Sequence, residues 1–118
     1  MKAKYQGHRI LDASSSSLEN WDPPDPTDFS VMIDFYACPE GENTADAFTA
    51  HVCSPSWFFQ SRKEKVVSGE NTIFMHRFDG VELVNFLKER CMATEGDTWE
   101  AIAAQLTRLG RWEFDYRL

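Results

Sequence analysis

Between residues 29 and 38, apolar and polar positions alternate with period two. Phe29, Val31, Ile33, Phe35 and Ala37 share one face, and Ser30, Met32, Asp34, Tyr36 and Cys38 share the other. That alternation predicts a half-buried strand with one apolar face. Pro39-Glu40-Gly41 and Asn43 mark a turn after it. Phe48, Ala50 and Val52 then alternate with Ala47, Thr49, His51 and Cys53, which predicts a second strand and a hairpin. Residues 3–11 form a weaker strand candidate, and Thr72–Phe78 is a further β-rich run. Ser14–Ser17 and the polar stretch Gln60–Asn71 predict loops, having little to pack. Asp22-Pro-Pro-Asp-Pro-Thr-Asp28 cannot be helix or central strand, because its prolines fix φ and lack donors. It reads as an ordered or semi-rigid acidic loop.

The period changes to that of a helix further on. Ser54 and Pro55 suit the N-cap and first position of a short helix anchored by Trp57, Phe58 and Phe59. Asp79 with Glu82 forms a capping pattern ahead of Val81, Val84, Leu87 and Cys91, flanked by Leu83 and Phe86. Asp97 with Glu100 repeats it ahead of Trp99, Ile102, Ala103, Leu106 and Leu109, and Gly110 is the expected C′ stop. Aromatics at Trp112, Phe114 and Tyr116 alternate with Glu113, Asp115 and Arg117, predicting a last strand whose aromatics are core. Trp99 and Trp112 are expected to be largely buried between helix and sheet. The order implies an α+β fold. A mainly antiparallel sheet carries two consecutive C-terminal helices packed on one face, followed by a final strand. The length of 118 residues suits one domain. Residues 28–118 are expected to be its core, and 1–27 a variable N-terminal segment with the acidic Pro-rich loop.

Charge changes the picture more than composition does. The net charge is −7, yet residues 12–61 hold nine acids and no Lys or Arg. Residues 62–118 are near neutral, with ten acids and nine bases. An acidic half disfavours nucleic acid as a ligand and favours a basic protein partner. The simpler reading is a solvated face, and for any single acid it has the greater weight. Three widely spaced cysteines, Cys38, Cys53 and Cys91, argue against a secreted disulfide framework. No signal peptide or membrane span is evident, so a cytoplasmic location is expected.

Catalytic patterns are weak. His51 and Cys53 share a strand face at i and i+2, but an acidic and apolar setting raises a thiol pKa rather than lowering it. A small hydrolase using this pair is therefore a distant reading. Metal-ligand spacing and a Gly-rich phosphate loop are both missing from the sequence, and no cofactor is implied.

The C-terminal block Thr98-Trp99-Glu100-Ala101-Ile102-Ala103-Ala104-Gln105-Leu106, then Gly110-Arg111-Trp112-Glu113-Phe114-Asp115-Tyr116, resembles the immunity protein 8 family of bacterial polymorphic toxin systems. Asp46-Ala47-Phe48 and Val52-Cys53-Ser54-Pro55-Ser56-Trp57 are similar to its central segment, and Asp28-Phe29 to the start of its first firm strand. The likeness covers 28–118 loosely and 98–116 well; the first 27 residues carry no part of it. Ala37-Cys38-Pro39-Glu40-Gly41 stands where the family tends to have a Gly-Pro-type turn. The resemblance implies a non-enzymatic α+β protein, as in contact-dependent inhibition, that binds and blocks a cognate toxin C-terminal domain in the cytoplasm. The acidic half adds the expectation of a basic, nuclease-type toxin. The runner-up is an acidic adaptor for another basic protein. Expected contact residues are Asp22, Asp25, Asp28, Glu40, Glu42 and Asp46, with Glu113 and Asp115 as second choices. A monomer is the expected state.

Overall fold

The computed structural model describes residues 1–12 and 17–115. Chain order is β1 (Ala3–Ile10), β2 (Ser30–Pro39), β3 (Asp46–Cys53), α1 (Pro55–Gln60), β4 (Thr72–Phe74), α2 (Gly80–Ala93), α3 (Trp99–Leu106) and β5 (Arg111–Trp112). The fold is α+β, as the order of patterns predicted. The sheet runs β1-β2-β3-β4, with β5 also paired to β3. Every pairing is antiparallel except β3 with β4. The expected loop at 14–16 and the Tyr116 end of the expected last strand lie outside the described residues.

The β2 alternation holds along its length. Val31, Ile33, Phe35 and Ala37 are fully buried, and Phe48, Ala50 and Val52 lie beside them on β3. Phe35 and Phe48 are directly paired and stack at 5.1 Å between centroids. Each buried aromatic of this kind contributes roughly 2–3 kcal/mol through area removed from water. Leu83, Leu87, Cys91, Ile102, Ala103 and Leu106 of α2 and α3 complete the core. The opposite sheet face is polar: Asp34 accepts from Thr49 Oγ1 at 2.6 Å, with Arg9 Nη2 at 3.5 Å. On that face α1 packs its Trp57 edge-on to His51 and its Phe58 against Phe74.

Several local expectations are corrected. β4 ends at Phe74 rather than Phe78 because β3, its partner, ends at Cys53. β5 is two residues long because Trp112 pairs with Phe48, so residue 114 already faces the first residue of β3. Phe114 is accordingly 46% exposed, not core, and sits edge-on to Trp112. Trp99 and Trp112 pack against the core but are only partly buried. The α3 cap is Thr98, whose side chain accepts from Ala101 N–H, rather than Asp97. Val81 is 54% exposed; Gly80 takes the inward position instead. A Cβ on Gly80 would lie 1.8 Å from the Leu18 carbonyl oxygen. Gly110 is no left-handed cap, since α3 already ends at Leu106. It is buried, and a Cβ there would press on Phe35 at 3.0 Å and on the Thr49 carbonyl at 3.1 Å. In α1, Phe58 is the anchor and Phe59 is 65% exposed.

Residues 17–28 have little regular structure, yet they are moored at several points. Leu18 is fully buried, and its N–H donates to His8 Nε2 at 3.1 Å. That bond fixes the tautomer: Nε2 accepts, so Nδ1 carries the proton and donates to the Tyr5 hydroxyl. Trp21 and Phe29 both meet Phe78 edge-on, and Phe78 N–H donates to the Pro26 carbonyl at 2.7 Å. The acidic loop is thus held against the entrance to α2.

Candidate functional site

The three cysteines and His51 are covered or engaged by the fold. Cys53 is buried, and burial pushes its thiol up to about 11, with Arg62 pulling weakly the other way. Cys91 is also buried and raised to about 11. Cys38 is covered, its sulfur accepting from Gln6 Nε2 and donating to the Glu42 carbonyl. His51 shares a face with Cys53, as its spacing predicts, but its Nε2 is 2.7 Å from Ser30 Oγ. Burial, then Arg62, lowers the His51 pKa. A thiol held protonated and out of solvent is a poor nucleophile. Among the described residues, no group of three His, Cys, Asp or Glu side chains could hold a metal ion. No helix there is long and apolar enough to cross a membrane.

The acids singled out by sequence fall at opposite ends of the sheet. Asp22, Asp25 and Asp28 lie in the loop that leads into β2. Glu40 and Glu42 lie in the turn that leaves it. Nine residue steps of β2 separate these ends by roughly 30 Å, and the molecule measures 40 × 33 × 23 Å overall. The acidic run is contiguous in sequence and divided in space.

At the loop end, Asp22 and Asp28 are exposed and their carboxylates make no hydrogen bond or ion pair within the described fold. Asp25 accepts from both the N–H and the hydroxyl of Thr27, at 2.9 and 2.7 Å. Those bonds, the hydroxyl's first, hold its carboxyl below the usual range, and Arg77 acts in the same direction. At the hairpin end, Glu40 and Glu42 are exposed. Asp46 is different. Its Oδ2 accepts from Trp99 Nε1 at 2.7 Å and Trp112 Nε1 at 2.9 Å, so one carboxylate ties α3 and β5 to the hairpin. Glu113 also bonds inward: its Oε1 accepts from Ala47 N–H at 2.8 Å, and its own N–H donates to the Ala47 carbonyl. Asp115 is half-buried beside Glu70, Asn71, Thr107 and Arg108.

The fold also brings acids to the hairpin end that sequence position did not connect with it. Glu40 N–H donates to the Lys2 carbonyl, and the Lys2 backbone pairs with that of Glu95 in an isolated antiparallel β-bridge. Asp97 lies two residues beyond that bridge, and Glu100 is in the first turn of α3 next to Trp99. Backbone pairing through residues 1–3 and the indole bonds to Asp46 join these segments, and a carboxylate accepting from two distant tryptophans leaves no periodic trace in sequence.

A groove of about 380 Å³ opens between β4 and α2, lined mainly by Ile73, Phe74, Met75, Leu83, Phe86 and Leu109, with Glu82 as its one charged side chain. Exposed Phe74 and half-buried Phe86 leave apolar surface open to solvent there.

A family model described as Immunity protein 8 matches residues 8–116. That match reaches twenty residues further towards the N-terminus than the motifs alone did, taking in the last three residues of β1. No curated protein and no solved structure matches the chain. With nearly the whole chain accounted for by one family model, the protein belongs to the immunity protein 8 family.

Proposed function

We propose that this protein acts in the cytoplasm as a stoichiometric, non-catalytic inhibitor of a cognate toxin domain, and that it covers a basic, nuclease-type surface with carboxylates of its acidic half. The observation that carries the reading is the family match over residues 8–116 on a chain whose residues 12–61 hold nine acids and no Lys or Arg. A nuclease gains much of its substrate affinity from phosphate contacts, so its active surface is basic. Complementary carboxylates speed encounter with such a surface and exclude wrong partners more than they add raw affinity. The covered cysteines and the engaged His51 support a binding role.

The two acidic ends divide this proposal into separable parts. A standard interface buries about 800 Å² per partner, roughly 30 Å across, so both ends cannot sit at its centre. The loop end offers Asp22, Asp25 and Asp28. The hairpin end offers Glu40 and Glu42, joined by Glu95, Asp97 and Glu100. Asp46 and Glu113 act there through the fold, and Asp115 is at most peripheral.

The first test is co-expression with the C-terminal domain of the adjacent large gene product, scored for rescue of growth. An adaptor without a toxin gives no toxicity to rescue. The second is association rate against ionic strength, for the wild type, for an Asp22→Lys, Asp25→Lys, Asp28→Lys variant and for a Glu40→Lys, Glu42→Lys variant. The wild-type rate is expected to fall steeply with salt, and one variant to flatten that dependence. A rate flat with salt and equal in all three proteins excludes the acidic surface from the contact.

A further inference from the structure

The sheet has two outer edges, and they are finished differently. β1 carries Lys4 and Arg9 and a bulge between Tyr5 and Gly7, where Gly7 has φ +116°. Charges and bulges are how sheet edges are kept from pairing with another chain. β4 has neither: it reads Thr72-Ile73-Phe74, without a charge, a proline or a bulge. The parallel ladder with β3 uses Asn71, whose carbonyl accepts from His51 N–H, and Met75, whose N–H donates to the Cys53 carbonyl. Alternation then turns Ile73 towards β3 and the backbone N–H and C=O of Thr72 and Phe74 outward. No other part of the described chain bonds them. Directly beside this edge lies the apolar groove of Ile73, Leu83, Phe86 and Leu109, rimmed by Glu82.

We propose that β4 is a docking edge, to which an extended segment of the cognate toxin domain adds as a further strand. The segment seats one apolar side chain in the groove and sets a Lys or Arg against Glu82. This inference rests on the toxin-binding reading above. An outward row of backbone donors and acceptors at strand spacing is matched by a polypeptide and by little else. The groove asks for an apolar side chain, and its one charged residue asks for a cation. The acidic loop continues the same surface, because the Pro26 carbonyl accepts from Phe78 N–H and Leu18 abuts Gly80, two residues before Glu82 in α2. Arg77 and His76 also lie in this stretch, with Arg77 close enough to Asp25 to act on its carboxyl. A second copy of this chain fits poorly, since it would oppose Glu82 to Glu82 between partners that each carry −7.

The test uses the full chain with the C-terminal domain of the neighbouring large gene product, and reads amide exchange by NMR. Thr72 and Phe74 amides are expected to exchange quickly in the free protein and ~100-fold more slowly in the complex, while Ile73 changes little. Phe74→Pro removes an outward donor, and Phe74→Val removes the ring alone. The proline variant is expected to bind ~10–100-fold more weakly than the valine variant, and Glu82→Lys about tenfold more weakly than wild type. If circular dichroism shows Phe74→Pro unfolded, the exchange data and Glu82→Lys decide. Tight binding with Thr72 and Phe74 still exchanging quickly, and Glu82→Lys unaffected, overturns the docking edge and leaves the toxin-binding reading intact. Absence of both binding and growth rescue in the wild type overturns both. A dimer of this chain that Phe74→Pro or Glu82→Lys dissociates overturns the inference in favour of a second copy.

Discussion

Asp46 at the hairpin end and Asp22 at the loop end belong to one uninterrupted acidic stretch, yet they serve opposite purposes. Asp46 faces inward and holds two indoles that lie 53 and 66 residues away in sequence. Asp22 and Asp28 face outward from a loop that Leu18, Trp21 and Pro26 moor from beneath. Removing the first kind of carboxylate should weaken the fold, and removing the second should leave the fold alone and change encounter. A charge run therefore has no single meaning. What matters for each acid is whether donors from elsewhere in the chain reach it.

The strongest way to break the contrast is to cast off the loop end. Gly80→Ala places a methyl where the Leu18 carbonyl lies, at 1.8 Å. The backbone must move to relieve it, so destabilisation of ~3 kcal/mol or more is expected, read as a fall in thermal midpoint. A melting curve close to wild type would show that the loop is not fixed at this contact. Next comes the hairpin end. Asp46→Ala strands two indole N–H groups and is expected to cost ~2–4 kcal/mol. A double-mutant cycle with Trp99→Phe and Trp112→Phe should give non-additive losses, because both indoles share one oxygen. Additive losses would separate the two tryptophans. The smallest effect sharpens the comparison from the other side. Asp22→Asn with Asp28→Asn should shift chemical-denaturation stability by no more than ~0.5 kcal/mol, as expected for exposed carboxylates. A larger loss would place these acids among the structural ones.

Sequence pattern carried the fold where a segment's partners are local or its period long. β2 and β3 were legible because their apolar faces are complete, and α2 because Asp79 caps it as its residue type predicts. It failed where the length of a partner sets the boundary. The run after Thr72 and the run after Arg111 both look strand-like beyond where they stop, and both stop where β3 runs out, one at each of its ends. Residues in a short strand do not encode the length of the strand beside them. Gly110 shows the same gap: a glycine after a helix suggests a cap, but this one is required by contact with Phe35 and Thr49 on distant strands. For the candidate site, the acids were visible and their division was not. Neither was the β4 edge, since an outward row of backbone groups has no side-chain signature.

The bond from Leu18 N–H to His8 makes the loop end answer to protons. Nε2 can accept only while the ring is neutral, and burial holds the His8 pKa below its ordinary 6.5, with Glu19 at 3.5 Å opposing. The unfolded chain therefore takes up a proton at a higher pH than the folded one. Stability is highest above pH 6.5 and is lost as pH falls from there towards the folded pKa; His51, also lowered, adds in the same sense. Below that range the protonated ring turns a donor towards a donor, and the segment bearing Asp22, Asp25 and Asp28 loses its first fastening. His8→Gln, whose amide oxygen can still accept, should shrink the slope of stability against pH between 7 and 5. An unchanged slope would assign the acid sensitivity to His51 alone. A carboxylate surface so mounted is at its firmest at neutral pH, and acid loosens the mounting as the His8 ring takes up its proton.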